Sequence, residues 1–259
     1  MGETVGKIIA IANEKGGTGK TTVAVNLGAA LTIRGMKTLI LDLDPQGNAS
    51  YMLSHITEDD PAMYSVLANG DVPLSSIIQP TATEQLDIAP SNLHLAGAEI
   101  QLASMLGREN TLKRKLTPDI TNRYDFLLID TSPSLGLLTI NALNAADHVL
   151  IPVSCDFLSL VGLTLLFDTI RICQEQLGSH VNVLGLVANR YDRRENVSEE
   201  VLNALKTRFN DLLFDTVIRV NVRLKEAPSY RQTIYQYDPV CPGAKDHIAL
   251  ANELMRKAV

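Results

Sequence analysis

Cysteine is scarce: Cys155, Cys173 and Cys241 are the 3 in a chain of 259 residues, and they stand far apart. That number and spacing suit neither a disulfide framework nor a structural zinc site, and they argue against an iron–sulfur cluster. Buried apolar residues are the reading that remains. Long hydrophobic runs are also missing. No stretch of about eighteen uncharged apolar residues occurs, so no transmembrane helix is expected, and the N-terminus reaches a polar glycine-rich segment too early for a secretory signal. A cytoplasmic location follows. No repeat, low-complexity tract or Pro/Ser-rich linker interrupts the sequence, so residues 1–259 are expected to form a single domain.

Positive charge is in overall deficit, the net being −6, which weighs against nucleic acid until the local balance is read. From Arg219 to Arg231, the cations Arg219, Arg223, Lys225 and Arg231 face Glu226 alone. From Arg108 to Lys115, the cations Arg108, Lys113, Arg114 and Lys115 face Glu109 alone. Phosphates respond to such patches through counterion release, whatever charge the far side carries.

What the chain has is an alternation of strand and helix signals. Lys7–Asn13 is an apolar strand, Thr21–Arg34 a helix with Val23, Leu27, Ala30 and Leu31 at helical spacing, Gly35 its stop, and Thr38–Leu43 a second strand. Pro-Gln-Gly-Asn-Ala-Ser after Asp44 is a loop by composition. Further helices are expected at Met63–Ala68, Leu93–Met105, Glu109–Leu116, Leu137–Ala146, Leu158–Leu177, Ser198–Phe209 and Ala244–Lys257. Further strands are expected at Leu86–Ala89, Phe126–Ile129, His148–Val153, Val181–Ala188 and Thr216–Val220. Strands that are apolar without alternation are covered on both sides, so the fold class is α/β: a mostly parallel sheet with helices on both faces.

Between the first strand and first helix lies Lys15-Gly16-Gly17-Thr18-Gly19-Lys20-Thr21-Thr22. A glycine-rich turn that opens a helix aims backbone N–H groups and the positive end of the helix dipole at one place, where an anion replaces the missing intrahelical acceptors. Glycine is required where the backbone must approach closely or take positive φ. Lys20 lies where a P-loop lysine reaches the β- and γ-phosphates, and the Thr21 hydroxyl where it can ligate Mg²⁺. ATP with Mg²⁺ is the implied ligand, and the fold is a P-loop NTPase. The general pattern asks for glycine at the position of Glu14, and an additional lysine, Lys15, leads the motif instead.

Two aspartates join this loop. Asp130 ends an apolar strand, which puts its carboxylate at the C-terminal sheet edge where open α/β sheets bind ligands; there it can hold Mg²⁺ through water beside Thr21. Asp44 ends the second strand and reaches the same edge, whereas Asp42 lies one pleat further back and reads as structural. Thr131-Ser132-Pro133-Ser134 after Asp130 forms a turn suited to sensing a γ-phosphate.

The lysine-led loop resembles the deviant Walker A motif of the ParA/MinD group of P-loop ATPases. The resemblance extends to Asp42-Leu43-Asp44-Pro45-Gln46-Gly47-Asn48, to Asp130–Ala142, to Val149–Gly162 and to Asn221-Val222-Arg223-Leu224-Lys225-Glu226-Ala227-Pro228-Ser229, and is strongest to Soj-like partition ATPases. It implies that Lys15 crosses to a partner subunit's nucleotide, that Asp44 orients the attacking water, and that the loop around Pro228 contacts adenine, with Asn189 a weaker candidate. It also implies a homodimer formed on ATP, non-specific binding of double-stranded nucleoid DNA, and release when a ParB-like or other activating partner stimulates slow hydrolysis. Arg194 matches a DNA-contacting arginine in Asp192-Arg193-Arg194-Glu195-Asn196-Val197-Ser198. At the family's second arginine the chain departs: Val220 holds that position and Arg219 the preceding one. A shift of one residue on a strand reverses the face, which makes Arg223 and Arg231 equal candidates.

Two rival readings share the nucleotide chemistry. A MinD-like membrane ATPase needs a basic amphipathic tail beyond Asp246–Val259, and packing of that helix on the sheet, without a membrane, is the expectation. A small-molecule kinase or ligase would need an acceptor. The cargo moved is not written in this sequence.

Overall fold

The chain is seen in a computed structural model that describes residues 5–68, 72–156, 159 and 161–258. β1 (Lys7–Ile11) shows why the strands lack alternation. Ile9 and Ile11 pack on one side of the sheet with Leu27 and Leu31 of α1 (Lys20–Ile33). Ile8 and Ala10 join a separate core on the other side. β2 (Thr38–Leu43) repeats this arrangement and is buried throughout.

α2 (Asn48–Leu53), α3 (Met63–Ala68), the two-residue β3 (Gln79–Pro80) and β4 (Leu86–Ala89) follow. Then come α4 (Ala98–Ala103), α5 (Thr111–Lys115), α6 (Pro118–Thr121), β5 (Phe126–Thr131), α7 (Leu137–Ala145) and β6 (His148–Ser154). The chain continues through α8 (Val161–Leu177), β7 (Asn182–Tyr191), α9 (Asn196–Phe209) and β8 (Leu213–Arg219) to α10 (Val222–Glu226), α11 (Ile234–Tyr237) and α12 (Pro242–Lys257).

The eight strands form one sheet in the order β3-β4-β2-β5-β1-β6-β7-β8, parallel throughout except for β3 against β4. β1 lies between β5 and β6, so the chain departs to one side for β2 and β4 and to the other for β6 to β8. The crevice at such a point of reversal, beyond the carboxyl ends of the strands, is where open α/β sheets receive ligands. Helices cover both faces: α1 and α12 on one, through Leu27, Leu31, Leu250 and Leu254, and α7, α8 and α9 on the other, through Leu143, Leu166 and Leu205. The three cysteines are free and buried, as their spacing led us to expect.

The expected elements are present, with shifted ends. Gly35 follows α1 at φ +80° and ends it, as read. The segment after Asp44 is only partly loop, because Gly47 at φ +59° caps α2. Each of the two helices expected over 93–116 opens as a 3₁₀ turn, at Leu93–Gly97 and Arg108–Asn110, before α4 and α5. β5 and β7 run two and three residues beyond the expected ends, to Thr131 and Tyr191. β8 begins and ends earlier than expected, and α12 starts at Pro242, where proline's missing N–H costs a helix nothing. The expected start of α8 at Leu158 lies outside the described residues. The short α6, α10 and α11 were not expected.

Candidate functional site

The loop from β1 to α1 takes the conformation its glycines allow. Gly17 stands at φ +77° and Gly19 at φ +87°, the left-handed region that disfavours a side chain. Gly19 is the N-cap of α1, and no side chain caps the helix, so its first N–H groups remain directed at the crevice. Gly16 and Gly17 are exposed, Thr18 is buried, and Thr21 and Thr22 are half-buried at the first turn. The Lys20 ammonium is buried under the loop, 3.4 Å from the Lys15 carbonyl. Burial pulls its pKa below the ordinary lysine value, and Asp130 and Asp44 act in the opposite direction. A desolvated ammonium between two carboxylates, beneath a ring of N–H donors, is chemistry suited to a triphosphate.

Lys15 does not point into that cradle. Its ammonium is paired with Asp156, beyond β6, and donates to the Ser159 hydroxyl at 3.0 Å. Glu14, which replaces the expected glycine, packs against Gly162 in the first turn of α8.

Asp130 is the penultimate residue of β5, with no solvent exposure, opposite Ile11 on one neighbouring strand and Asp42 on the other. Among the described residues neither carboxylate oxygen has a partner at hydrogen-bond geometry, although the Thr21 hydroxyl lies close enough to act on it. Burial raises its pKa well above the ordinary range, Asp42 adds to this, and the nearby Thr21 hydroxyl and Lys20 oppose it. A buried, unpartnered carboxylate beside a threonine hydroxyl fits an incoming hydrated cation. Among the described residues no three His, Cys, Asp or Glu side chains are grouped to hold a metal. Mg²⁺ there would depend on ligands from water and triphosphate, with Thr21 and Asp130 contributed by the chain. Asp42, in contrast, is saturated: it accepts from the Ser50 N–H at 2.8 Å, the Ser50 hydroxyl at 2.7 Å and the Asp44 N–H at 3.1 Å. Burial still lifts it to about 6.

Asp44 is buried at the same edge, its Oδ1 accepting from the Gln46 N–H at 3.0 Å. On the other flank, Asn189 at the end of β7 donates to the Thr18 carbonyl at 2.6 Å. Arg190, at φ +56°, donates to the Gly17 carbonyl at 2.9 Å. Sequence reasoning did not single out Arg190; its place directly after Asn189 was the available signal. Both residues line a cavity of about 250 Å³ with Gly19, Thr22, Asn221 and Leu224. Pro228 is half-buried in the 3₁₀ turn Ala227–Tyr230 and is not among the residues lining that cavity.

The four nominated arginines divide. Arg194 and Arg219 line one depression of about 400 Å³ with Arg193 and Pro242. Arg194 is 81% exposed and grips Asp192 at 2.6 Å, holding that carboxyl down at about 2. Arg219 is locked onto Asp246, bonding through both its backbone N–H and its guanidinium. Arg223 pairs with Glu226 at 2.9 Å and Asp238 at 3.4 Å. Arg231 lies apart, stacked 4.5 Å over the Tyr51 ring and 3.0 Å from His55 Nδ1 at the end of α2.

A left-handed glycine loop over a buried lysine, with two strand-end aspartates across the crevice, places the chain among the P-loop nucleoside triphosphatases. A family model described as an AAA domain matches residues 6–183. The sporulation initiation inhibitor protein Soj of Bacillus subtilis is 45% identical over 251 residues, covering 96% of this chain and 98% of that protein. The chromosome partitioning protein ParA of Myxococcus xanthus is 40% identical over 256 residues, covering 98% and 89%. A solved structure titled cobyrinic acid a,c-diamide synthase from Mycobacterium smegmatis, with bound ATP analog and magnesium, superposes with a TM-score of 0.84 at 33% identity, covering 97% of this chain and 95% of that one. The chain belongs to the Soj/ParA family of chromosome-partitioning ATPases.

Proposed function

We propose that the chain is an Mg-ATP-dependent ATPase that dimerises on ATP, binds DNA without sequence preference and positions a cargo until a partner protein triggers hydrolysis. The observation that carries this reading is the convergence of Lys20, Asp44 and Asp130 on the mouth of one glycine loop, with Lys15 held outside it. Lys20 and the loop N–H groups bind the β- and γ-phosphates; Thr21 and Asp130 would hold Mg²⁺, which would supply neutralisation of phosphate charge. Asp44 aims the attacking water, so that positioning supplies the rate. The base occupies the cavity beside Asn189 and Arg190, with the Pro228 turn closing toward it.

Charge compensation inside one subunit falls to Lys20, so Lys15 completes it across a dimer interface by leaving its own Asp156. Slow hydrolysis without a partner follows from that need. Arg194 and Arg219 share one depression and supply phosphate contacts, which fits a nucleoid-associated location in the cytoplasm. α12 offers no membrane anchor among the described residues, because Leu250, Ala251 and Leu254 are spent against β8 and α1. No described helix is long and apolar enough to cross a membrane.

Lys20→Ala tests the reading. Loss of about 2–3 kcal/mol of charge-assisted contact weakens ATP binding by roughly 30- to 150-fold, read by fluorescent nucleotide titration. Unchanged affinity contradicts the assignment, and turnover that requires a small acceptor would point to a ligase instead.

A further inference from the structure

Both backbone polar groups of Asp44 are held by side chains, one from its own strand and one from the segment just beyond β4. Its N–H donates to Asp42 Oδ1 at 3.1 Å. Its carbonyl accepts from the Ser91 hydroxyl at 2.8 Å, in addition to the Gly47 N–H at 2.9 Å. Ser91 lies just beyond β4, the neighbour of β2. The Ser91 N–H donates to the Ser50 hydroxyl oxygen at 2.7 Å, and the Ser50 hydroxyl donates to Asp42 Oδ2 at 2.7 Å. The four residues therefore close a ring: Asp42, Ser50, Ser91, Asp44 and back to Asp42. Asp42 is 0% exposed, Ser50 3% and Ser91 2%, so water does not compete for these bonds. Gly47, at the turn of the same loop, lies against the Ser91 carbonyl so closely that a Cβ there would come within 3.2 Å of it.

A serine beyond β4 has no reason to spend its hydroxyl and its N–H on Asp44 and Ser50, 47 and 41 residues away, unless the segment between them must hold one shape. We propose that Ser91, with Ser50 and Asp42, is a positioning residue of the hydrolytic step, fixing the Asp44 backbone so that its carboxylate meets the attacking water. The proposal rests on the reading of Asp44 as the group that aims that water. No hydrogen bond of the ring reaches the glycine loop or Lys20, and within the ring only the Asp44 carboxylate acts on Lys20, through its charge, so the two serine hydroxyls act on hydrolysis and not on nucleotide capture. Removing the Ser91 hydroxyl leaves the Asp44 carbonyl with the Gly47 bond alone and lets the residue shift. Misplacement of a catalytic group by about 1 Å costs on the order of 100-fold in rate.

Single-turnover ATP hydrolysis, with ATP affinity measured in parallel, tests this on the full chain. Ser91→Ala and Ser50→Ala are expected to slow hydrolysis by about 10- to 100-fold, with the ATP dissociation constant unchanged within about twofold. Ser91→Thr, which keeps the hydroxyl, is expected to recover most of the rate. In an Asp44→Ala background, Ser91→Ala is expected to cost nothing further, since the group it positions is gone. Hydrolysis at the wild-type rate in Ser91→Ala, an equal loss of ATP affinity, or a full additional loss on top of Asp44→Ala would each overturn the proposal. An Asp44→Ala protein that hydrolyses like wild type would overturn the underlying reading of Asp44, a result distinct from failure of Ser91 alone.

Discussion

Asp42 and Asp130 are register partners on adjacent strands β2 and β5, and neither is exposed to solvent. Asp42 spends its oxygens on the Asp44–Ser50 loop, whereas Asp130 accepts no hydrogen bond. The pair thus differs in use: one carboxylate braces a loop, and the other lies buried near Thr21, free for the proposed Mg²⁺.

Waiting unpaired costs stability. Burial, followed by Asp42, makes native Asp130 hold its proton to a higher pH than an unfolded aspartate does. A group whose native pKa is raised stabilises fully at low pH, and that contribution is lost as pH rises through the native value. Asp130→Asn stays neutral throughout. At pH 8 it should melt roughly 2–8 °C higher than wild type, from about 1–2 kcal/mol of relieved burial at about 2–4 °C per kcal/mol. The gain should fade toward pH 4. The same variant should need about 10- to 100-fold more Mg²⁺ for half-maximal ATP hydrolysis. Thermal melts and Mg²⁺ titrations read the two effects; a lower melting point at pH 8 with unchanged Mg²⁺ demand would refute the role.

Gly19→Ala should damage both fold and site. At φ +87° a side chain is strained, and the new Cβ would come within 2.4 Å of Asn189 Nδ2. A loss of about 1–3 kcal/mol is expected in denaturant unfolding, with ATP binding reduced even where the protein remains folded. Gly35, at φ +80° with nothing near it, is the control: alanine there should cost stability but leave nucleotide affinity intact.

Arg194→Ala should weaken DNA binding without touching ATP affinity. Its side chain lies 81% in solvent and touches no residue of the glycine loop. If it neutralises one phosphate, the slope of log K against log salt should become shallower by about 0.9. An unchanged slope would remove it from the contact surface. Arg219→Ala is a poorer probe, because it strands the buried Asp246 and should lower the melting temperature as well.

The glycine loop, its strand and helix, and the two aspartates at the carboxyl ends of β5 and β2 were legible because each depends on local spacing: apolar runs, a glycine turn, and a carboxylate within one residue of the strand's end. What was not legible depends on contacts between distant segments. Pro45–Ser50 read as loop by composition, yet Gly47 in the left-handed region starts a helix at Asn48. Ser91, the Asp156 partner of Lys15, and Arg190 on Gly17 join the site only once β4 is laid beside β2, β6 beside β1 and β7 beside β6. The arginines show the same limit. Sequence nominated four arginines, and folding gives Arg194, Arg219 and Arg223 to carboxylates and Arg231 to Tyr51 and His55.

The central claim is that ATP bound under Lys20 draws Lys15 away from Asp156 and into a second subunit's site. Sedimentation equilibrium with Mg²⁺ and a non-hydrolysable ATP analogue tests it directly. The account predicts a doubled mass for the wild-type chain and monomer for Lys15→Gln at the same nucleotide occupancy. A wild-type chain that stays monomeric when saturated, or a Lys15→Gln protein that dimerises equally well, would contradict it.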